Sequence, residues 1–460
     1  MTLFLPLHVW DRELDSRLLT AVMASTKGIT SVIGNEYTLA RLYPSAKFSY
    51  LFRAGRPRDN YRSTWNEIIA KNDGFTEIVD EEGNNDLLRV SNSLRESYLP
   101  GVTQSSLKWC GKIHYWCDLQ KQLMLSSIPE NFRNEMQEKM VHKLNSRLEI
   151  LTSGKIKYFE RRSQAIKEFF GEYILIADNY GTKSFGSKKP VDPKLYLGND
   201  STEERIREIE NVAKTLDREA KIFAELIKKI VSDNPNLLFI LRPHPVSSIS
   251  EWNKLLGDHR NLHIIYKDSA DPWIMNAKYL IHSGCTTGIQ ARFARKRALD
   301  ISSLIKTTET ASLSTILSTE IKSYEELVAT IQAPNKGNNN SFEARDAYSD
   351  AQKAAHHINM EIPANLGFGE AETIKPLINR CKSIHASYKQ YNATDDANRM
   401  AHMIANQKKP DPLPTNKTSF ITAKEIRTRI CDAARILKAE TPNHYYNELH
   451  KCCIIGGSNK

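Results

Sequence analysis

The sequence predicts an α/β protein: two doubly wound domains facing a cleft, followed by a helical C-terminal extension. Three observations predict it. Short apolar runs rich in Leu, Ile, Phe and Tyr recur up to about residue 300 and stop at polar, small or proline residues, as buried parallel strands do. Between them lie stretches long enough to cross over as helices. Near 335–341 (NKGNNNS) the composition turns to that of a linker, and the remainder reads as helices broken by a Pro-rich segment at 408–417. The expected divisions are 1–165, 166–335 and 336–460.

Taken in order, FLPLHVW (4–10) is a strand and DRELDSRLLTAVMASTKG (11–28) a helix ended by Gly28. Leu14, Leu18, Ala21 and Val22 share one face of that helix. ITSVIGN (29–35) completes a β-α-β opening, and the strand at 76–79 runs into Asp80, Glu81, Glu82 and Gly83. SLKWCGKIHYWCDLQKQLM (106–124) reads as a strand entering a helix near Trp116. The stretch 130–152 reads as one charged helix leading to the second domain. There EYILIADNYG (172–181) starts a new series, followed by a long polar helix over 201–234. Three buried strands are then expected in NLLFILRPHP (236–245), NLHIIYKDS (261–269) and AKYLIHSGCTTGIQA (277–291), with a short one in RALDIS (297–302). Late in the chain, Thr422 and Glu425 form a capping-box pattern ahead of Ile426, Ile430, Ala433 and Leu437.

Composition narrows the function classes. With 460 residues, 40% hydrophobic and 26% charged, the chain has length for two or three domains and the balance of a soluble globular protein. No run approaches the ~20 apolar residues of a membrane span, and the opening residues lack the basic start of a signal peptide. The seven cysteines form no CxxC pair and suit free thiols in a reducing cytoplasm. A net charge of +10 suits an anionic partner. No Lys/Arg stripe interleaves with aromatics, so nucleic acid is not the expected partner. No CxxC or DxD pattern occurs, and no metal and no resident cofactor are expected.

Chemistry in such sheets collects at the carboxyl ends of the strands. There the sequence places Arg242 and His244, then Asp268 and Asp271, then His282, Ser283, Thr286 and Thr287. Pro243 and Pro245 pin the backbone of His244. Ser283, Thr286 and Thr287, flanked by Gly284 and Gly288, offer hydroxyls and N–H groups to a phosphate at a helix start; ordinary N-capping is the alternative. Arg242 could hold phosphates or brace its loop. Asp268 and Asp271 could accept from a ribose. Asp178, just past the strand YILIA, could be a nucleophile with Asn179 orienting it, or simply an Asx-turn. Arg12 and Glu13 could contact an acceptor or a donor carboxylate, or form an ion pair at a helix start.

RPHP (242–245) and IHSGCTTGIQA (281–291) resemble the HP and Ser/Thr-rich phosphate motifs of bacterial GT-B enzymes. LPLHVWDRELDSRLL (5–19), VDEEG (79–83) and YILIADNYG (173–181) are more similar to bacterial surface-carbohydrate biosynthesis proteins, whose characterised relatives include retaining β-Kdo transferases. The resemblance spans roughly 4–300. Gln290 stands where many GT-B enzymes carry Glu, and Cys285 where Ser is usual. It implies two Rossmann-like domains, with nucleotide phosphate against His244 and a general base among Asp80, Glu81 and Glu82. It implies transfer of a sugar, Kdo or a related ulosonic acid, from a CMP-activated donor. The acceptor would be a surface glycan or lipid-linked glycan, O-antigen or capsule, reached at the cytoplasmic face of the membrane. Basic charge and the late amphipathic helix could hold the protein there. Two alternatives stay open: a UDP-GlcNAc 2-epimerase-like nucleotide-sugar enzyme and a non-catalytic nucleotide-binding assembly protein.

Overall fold

A computed structural model describes residues 1–56, 61–81, 103–126, 128–152, 154–180, 203–245, 247–305, 313–333, 374–386, 400–402, 404–405, 421–447 and 452–456. The chain divides into two compact units, Met1–Tyr158 with Ala355–Lys460, and Phe159–Ala354. Each is an α/β unit built on its own sheet, as the alternating pattern predicted.

In the first unit β1 (Thr2–Leu7), β2 (Thr30–Asn35), β3 (Tyr50–Ala54), β4 (Phe75–Val79), β5 (Lys112–Tyr115) and β6 (Met140–His142) run parallel, ordered β2-β1-β3-β4-β5-β6. β1 and β2 are buried at every position; β1 reads accordingly as a continuous apolar run, whereas β2 buries Thr30, Ser31 and Asn35 along with Val32 and Ile33. The helix Trp10–Ser25 follows β1, and Gly28 takes a positive φ of 72° in the turn leading to β2. The expected single helix over 130–152 is instead a helix (Glu130–Lys139), the strand β6 and a second helix (Ser146–Ile150). Asn145 causes the restart: its side chain accepts from the Leu148 N–H, a cap that the charged pattern alone had hidden.

In the second unit β7 (Ile174–Ala177), β8 (Phe239–Arg242), β9 (Leu262–Ile264), β10 (Tyr279–His282), β11 (Ala298–Asp300) and β12 (Thr319–Glu320) are likewise parallel. The sheet order is β12-β11-β10-β7-β8-β9. Counted from β7 this is the third-second-first-fourth-fifth-sixth order of dinucleotide-binding folds. The long helix Glu203–Asp233 brings Phe223, Ile227, Ile230 and Val231 into one core with Ile174, Ile176, Leu241, Trp252 and Leu299.

The C-terminal part returns to the first unit. β13 (His444–Asn447) and β14 (Cys452–Ile455) form an antiparallel pair whose β14 extends the first sheet beside β2. Where the sequence led us to expect helices alone, two strands lie among them. The helix Ala423–Leu437 starts at Thr422, which caps Glu425 N–H as expected. Its face of Ile426, Ile430 and Ala433 is buried, the helix packs on Trp10–Ser25, and Arg429 pairs with Asp15 at 3.0 Å. That face is therefore occupied by the protein and is not available to a membrane. The helix Ile374–Ala386 is tied at its start and at its middle: the Ile374 N–H donates to Glu149, and Arg380 forks onto Glu77 of β4. Glu77 also accepts from the Tyr50 hydroxyl and meets His114 Nε2 at 2.8 Å. Among the described residues no helix is long and apolar enough to cross a membrane.

Candidate functional site

In the second unit the strand order reverses between β7 and β10, and the chain leaves those two strands in opposite directions. In open α/β sheets ligands gather at the carboxyl edge beside such a reversal. Asp178 follows β7 directly; Ser283 and Gly284 follow β10.

Asp178 is buried and takes four donors. Its Oδ1 accepts from Tyr180 N–H at 2.6 Å. Its Oδ2 accepts from His244 N–H at 3.0 Å, Ser247 Oγ at 2.6 Å and Trp252 Nε1 at 3.1 Å. The carboxylate thus anchors the loop after β8, with His244 half-buried at its apex. Ser247 and Trp252 escaped sequence reading, because neither is special in its local context. With both oxygens taken up by these four donors, the carboxylate is poorly placed to attack an anomeric carbon.

Arg242 is buried and turned towards the next loop. Its guanidinium donates to the carbonyls of Lys267 at 2.7 Å and Asp268 at 2.6 Å, and stands 5.3 Å from the Trp273 ring centre. Of its two sequence readings, these contacts match loop bracing. Asp268 adopts a positive φ of 70°, unusual for a side-chain-bearing residue. Its own carboxylate holds that turn by accepting from Ser269 N–H and from Arg162, both at 2.7 Å. Asp271 accepts from Gln290 at 2.6 Å. The Glu-to-Gln departure noted above therefore has a physical reason: an amide can donate to Asp271, and a second carboxylate could not.

In the loop after β10, Ser283 donates to the Tyr180 hydroxyl at 2.9 Å and is buried, so its oxygen faces the core. Gly284 adopts φ 79°; its N–H meets His282 Nδ1 and Asp300 Oδ1, each at 3.1 Å. An acceptor Nδ1 leaves the proton on His282 Nε2, which meets Ser318 Oγ at 2.8 Å. Gly288 could carry no side chain, since a Cβ would lie 2.5 Å from that Nε2. Asn179 donates to the Gly284 carbonyl at 3.4 Å, joining the β7 and β10 loops rather than orienting Asp178. Burial raises the Cys285 thiol pKa, which makes this a packing cysteine. Thr286 and Thr287 are half-exposed, the Thr287 Oγ1 atom itself is buried, and both side chains lie against the Cys285 thiol. Asp300, which the sequence reading passed over although it ends β11, organises the loop through Gly284 and Ser302.

In the first unit the acidic motif is split by function. Asp80 pairs with Arg56 at 2.7 Å, and its carbonyl accepts from Trp116. Glu81 is buried: Oε1 accepts from Arg17 at 2.9 Å and from Ser146 at 3.2 Å, while Oε2 has no partner among the described residues. Glu82 lies outside the described residues. Glu13 accepts from His8 N–H at 2.8 Å and from Arg12 at 3.0 Å. Burial alone would raise its pKa, but the Arg12 and Arg17 charges hold it below the usual carboxylate range. Arg17, which no sequence signal singled out, is thus the residue between the two acids. No cluster of His, Cys, Asp or Glu among the described residues could hold a metal ion.

No protein-family model matches the chain, and no curated protein matches it. Solved structures to which the chain is similar include UDP-GlcNAc 2-epimerase from Neisseria meningitidis bound to UDP-GlcNAc. It is 12% identical, with 82% of this chain and 98% of that chain covered and a TM-score of 0.42. The UDP-GlcNAc 2-epimerase from Methanocaldococcus jannaschii is 12% identical over 83% and 99%, with a TM-score of 0.46. The wall teichoic acid polymerase TagF is 7% identical over 85% and 90%, with a TM-score of 0.41.

Proposed function

We propose that the chain is a glycosyltransferase that moves a sugar, Kdo or a related ulosonic acid, from a CMP-activated donor to a glycan or lipid-linked glycan acceptor of the cell surface. The observation that carries the nucleotide half is the β7/β10 switch point, where the Asp178-held His244 loop and the Thr286/Thr287 hydroxyls stand at one sheet edge. The choice of CMP-sugar rests on the RPHP and Ser/Thr motifs. Glu81 supports the acid-base half. One oxygen is fixed by Arg17 and Ser146 and the other has no partner among the described residues, which leaves it for a proton from an acceptor hydroxyl. With Asp178 committed to its loop, the reaction is a single displacement with inversion, and no covalent sugar–enzyme intermediate forms.

A second reading, a UDP-GlcNAc 2-epimerase-like enzyme, draws on the same pair of facts. A buried base without a nucleophile suits proton abstraction and loss of the nucleotide. Thermal shift with CMP, CTP and UDP separates the two, followed by turnover of CMP-Kdo with acceptor and of UDP-GlcNAc alone. We expect CMP to stabilise the protein and Thr287→Val to weaken CMP binding roughly tenfold. Stabilisation by UDP alone, with ManNAc formed in the absence of acceptor, would select the epimerase. Binding of either nucleotide without any turnover would leave an assembly protein.

A further inference from the structure

We propose that the carboxyl edge of the first unit's sheet carries a carbohydrate subsite, built on the His8 ring and the exposed ring of Tyr37, which holds one sugar of the acceptor glycan. It rests on the transferase reading for its acceptor and adds two residues to which that reading gives no role.

Register brings the two residues together. β1 and β2 pair in parallel with Leu7 opposite Asn35, so His8 and Glu36 leave the sheet side by side and Tyr37 follows directly. β1 lies between β2 and β3, so the chain crosses β1 to continue on its other side, a reversal of the kind that gathers ligands at the carboxyl edge.

His8 is held by its backbone and by its ring. Its N–H donates to Glu13 Oε2 at 2.8 Å, and Arg12 holds the other oxygen of that carboxylate at 3.0 Å. Its Nδ1 stands 3.2 Å from Oε1 of the buried Glu36, which Arg62 reaches with Nε at 3.0 Å and Nη2 at 3.1 Å. Burial alone would raise the Glu36 pKa, but the His8 hydrogen bond and the Arg62 charge hold it below the usual carboxylate range. An ionised carboxylate only accepts, so the proton of the neutral imidazole sits on Nδ1 and Nε2 keeps its lone pair. Arg62 Nη2 also approaches Nδ1, at 3.4 Å, but lies closer to Glu36. No described residue hydrogen-bonds Nε2, and the side chain is 44% exposed. A fixed acceptor therefore faces solvent.

Tyr37 is 51% exposed, yet its ring is held edge-on to Trp65, with centroids 5.9 Å apart and planes at 86°. A sugar ring presents hydroxyls at its rim and C–H groups on its faces. The imidazole lone pair suits the first and the aromatic ring the second, the usual pairing of an aromatic surface with a few fixed polar groups in ligand sites. Both rings are already fixed, so little ordering cost is left for binding. Arg62 is engaged by Glu36, so this edge offers a lone pair rather than a spare cation, which selects a neutral hydroxyl over an anion. The strands that end at His8 and at Glu81 are two apart, about 10 Å, a span that an oligosaccharide covers. Subsite and base can thus serve one acceptor.

Histidine-selective heteronuclear NMR on the full chain tests this, the His8 signals being those missing from His8→Ala. Methyl glucoside, methyl galactoside and methyl N-acetylglucosaminide are titrated into wild type, His8→Ala, Tyr37→Ala and Phe169→Ala, with binding also followed by saturation transfer. Phe169 is an exposed aromatic of the second unit and serves as control. We expect a proton on His8 Nδ1 in the free protein and a shift of its Nε2 with at least one glycoside. The half-saturating concentration should rise roughly fivefold or more in His8→Ala and Tyr37→Ala and stay unchanged in Phe169→Ala. A proton on Nε2 in the free protein, or a response lost equally in Phe169→Ala, overturns the subsite. Silence of His8 towards all three glycosides, with CMP still bound, overturns it too and leaves the nucleotide reading intact. A glycoside response at His8 in a protein that ignores CMP keeps the subsite and sinks the CMP-sugar transferase.

Discussion

Asp178→Ala should destabilise the second unit by about 3–5 kcal/mol, even if relaxation recovers part of the loss. The change strands four donors at once: the N–H groups of Tyr180 and His244, the Ser247 hydroxyl and the Trp252 indole N–H. Trp252 lies in the unit's core, so the vacancy reaches inward as well as into the loop. Asp178→Asn should cost less, about 1–3 kcal/mol, because its oxygen can keep the three donors on the Oδ2 side while its amide confronts the Tyr180 N–H. In both variants CMP affinity should fall together with stability, since the His244 loop loses its anchor. Urea unfolding and calorimetric titration on the same preparations check this. If Asp178→Asn keeps wild-type stability and CMP affinity yet loses all turnover, Asp178 is the nucleophile and the anchor assignment is wrong.

How much of this was legible in the sequence depends on distance along the chain. The strand ends carrying Asp178, Arg242, Ser283 and Glu81 could be located, because a buried parallel strand advertises itself as an apolar run and its end as the first polar residue. What those side chains do there could not be read. Asp178 draws its Oδ2 partners from 66 to 74 residues away, and Glu81 meets Arg17 across 64 and Ser146 across 65. Local pattern therefore left Asp178 open between a nucleophile and an Asx-turn; the Tyr180 N–H forms the turn, and the three distant donors were beyond its reach. Ser283 shows the same effect. Its place in a Ser-Gly-Cys-Thr-Thr-Gly loop suggested a phosphate contact, but Tyr180, across 103 residues, takes its hydroxyl into the core.

The fold was misread where elements are short or depend on a distant partner. β3 has five residues and ends in Arg53 and Ala54, too brief a run to stand out. β13 and β14 have four residues each, and β14 becomes a strand by pairing with β2 more than 400 positions earlier. Such pairing belongs to tertiary structure, which overrides local preference for short segments. By contrast the helix from Ala423 was readable because its cap and its apolar face both lie within one window. Its destination was not readable: an amphipathic face says that something covers it, and here the cover is the first helix.

The second large effect is a loss of stability in acid traceable to Glu77. This carboxylate is wholly buried between the Tyr50 hydroxyl, His114 and the Arg380 fork. Burial alone would raise its pKa, but the hydrogen bonds and charges of His114 and Arg380 outweigh it and hold the group at about 2, below its usual 4.5. A carboxylate whose pKa is depressed by folding binds protons more readily in the unfolded chain. Its contribution is therefore complete above the unfolded value of 4.5 and fades as the pH falls from there towards 2. A depression of this size corresponds to on the order of 3 kcal/mol. Glu77→Gln should forfeit most of that at pH 7, because the amide offers one acceptor where three partners converge and turns a donor towards the others. It should also release the helix Ile374–Ala386, whose link to the sheet runs through Arg380. Urea unfolding of wild type and Glu77→Gln at pH 7, 5, 4 and 3 reads both effects. The stability gap should be widest at neutral pH and close as the solution becomes acid, with hydrogen exchange in 374–386 rising in the variant throughout. A gap that stays constant from pH 7 to pH 3 would mean that the loss comes from packing, and that the Glu77 charge contributes nothing to tying the C-terminal part to the sheet.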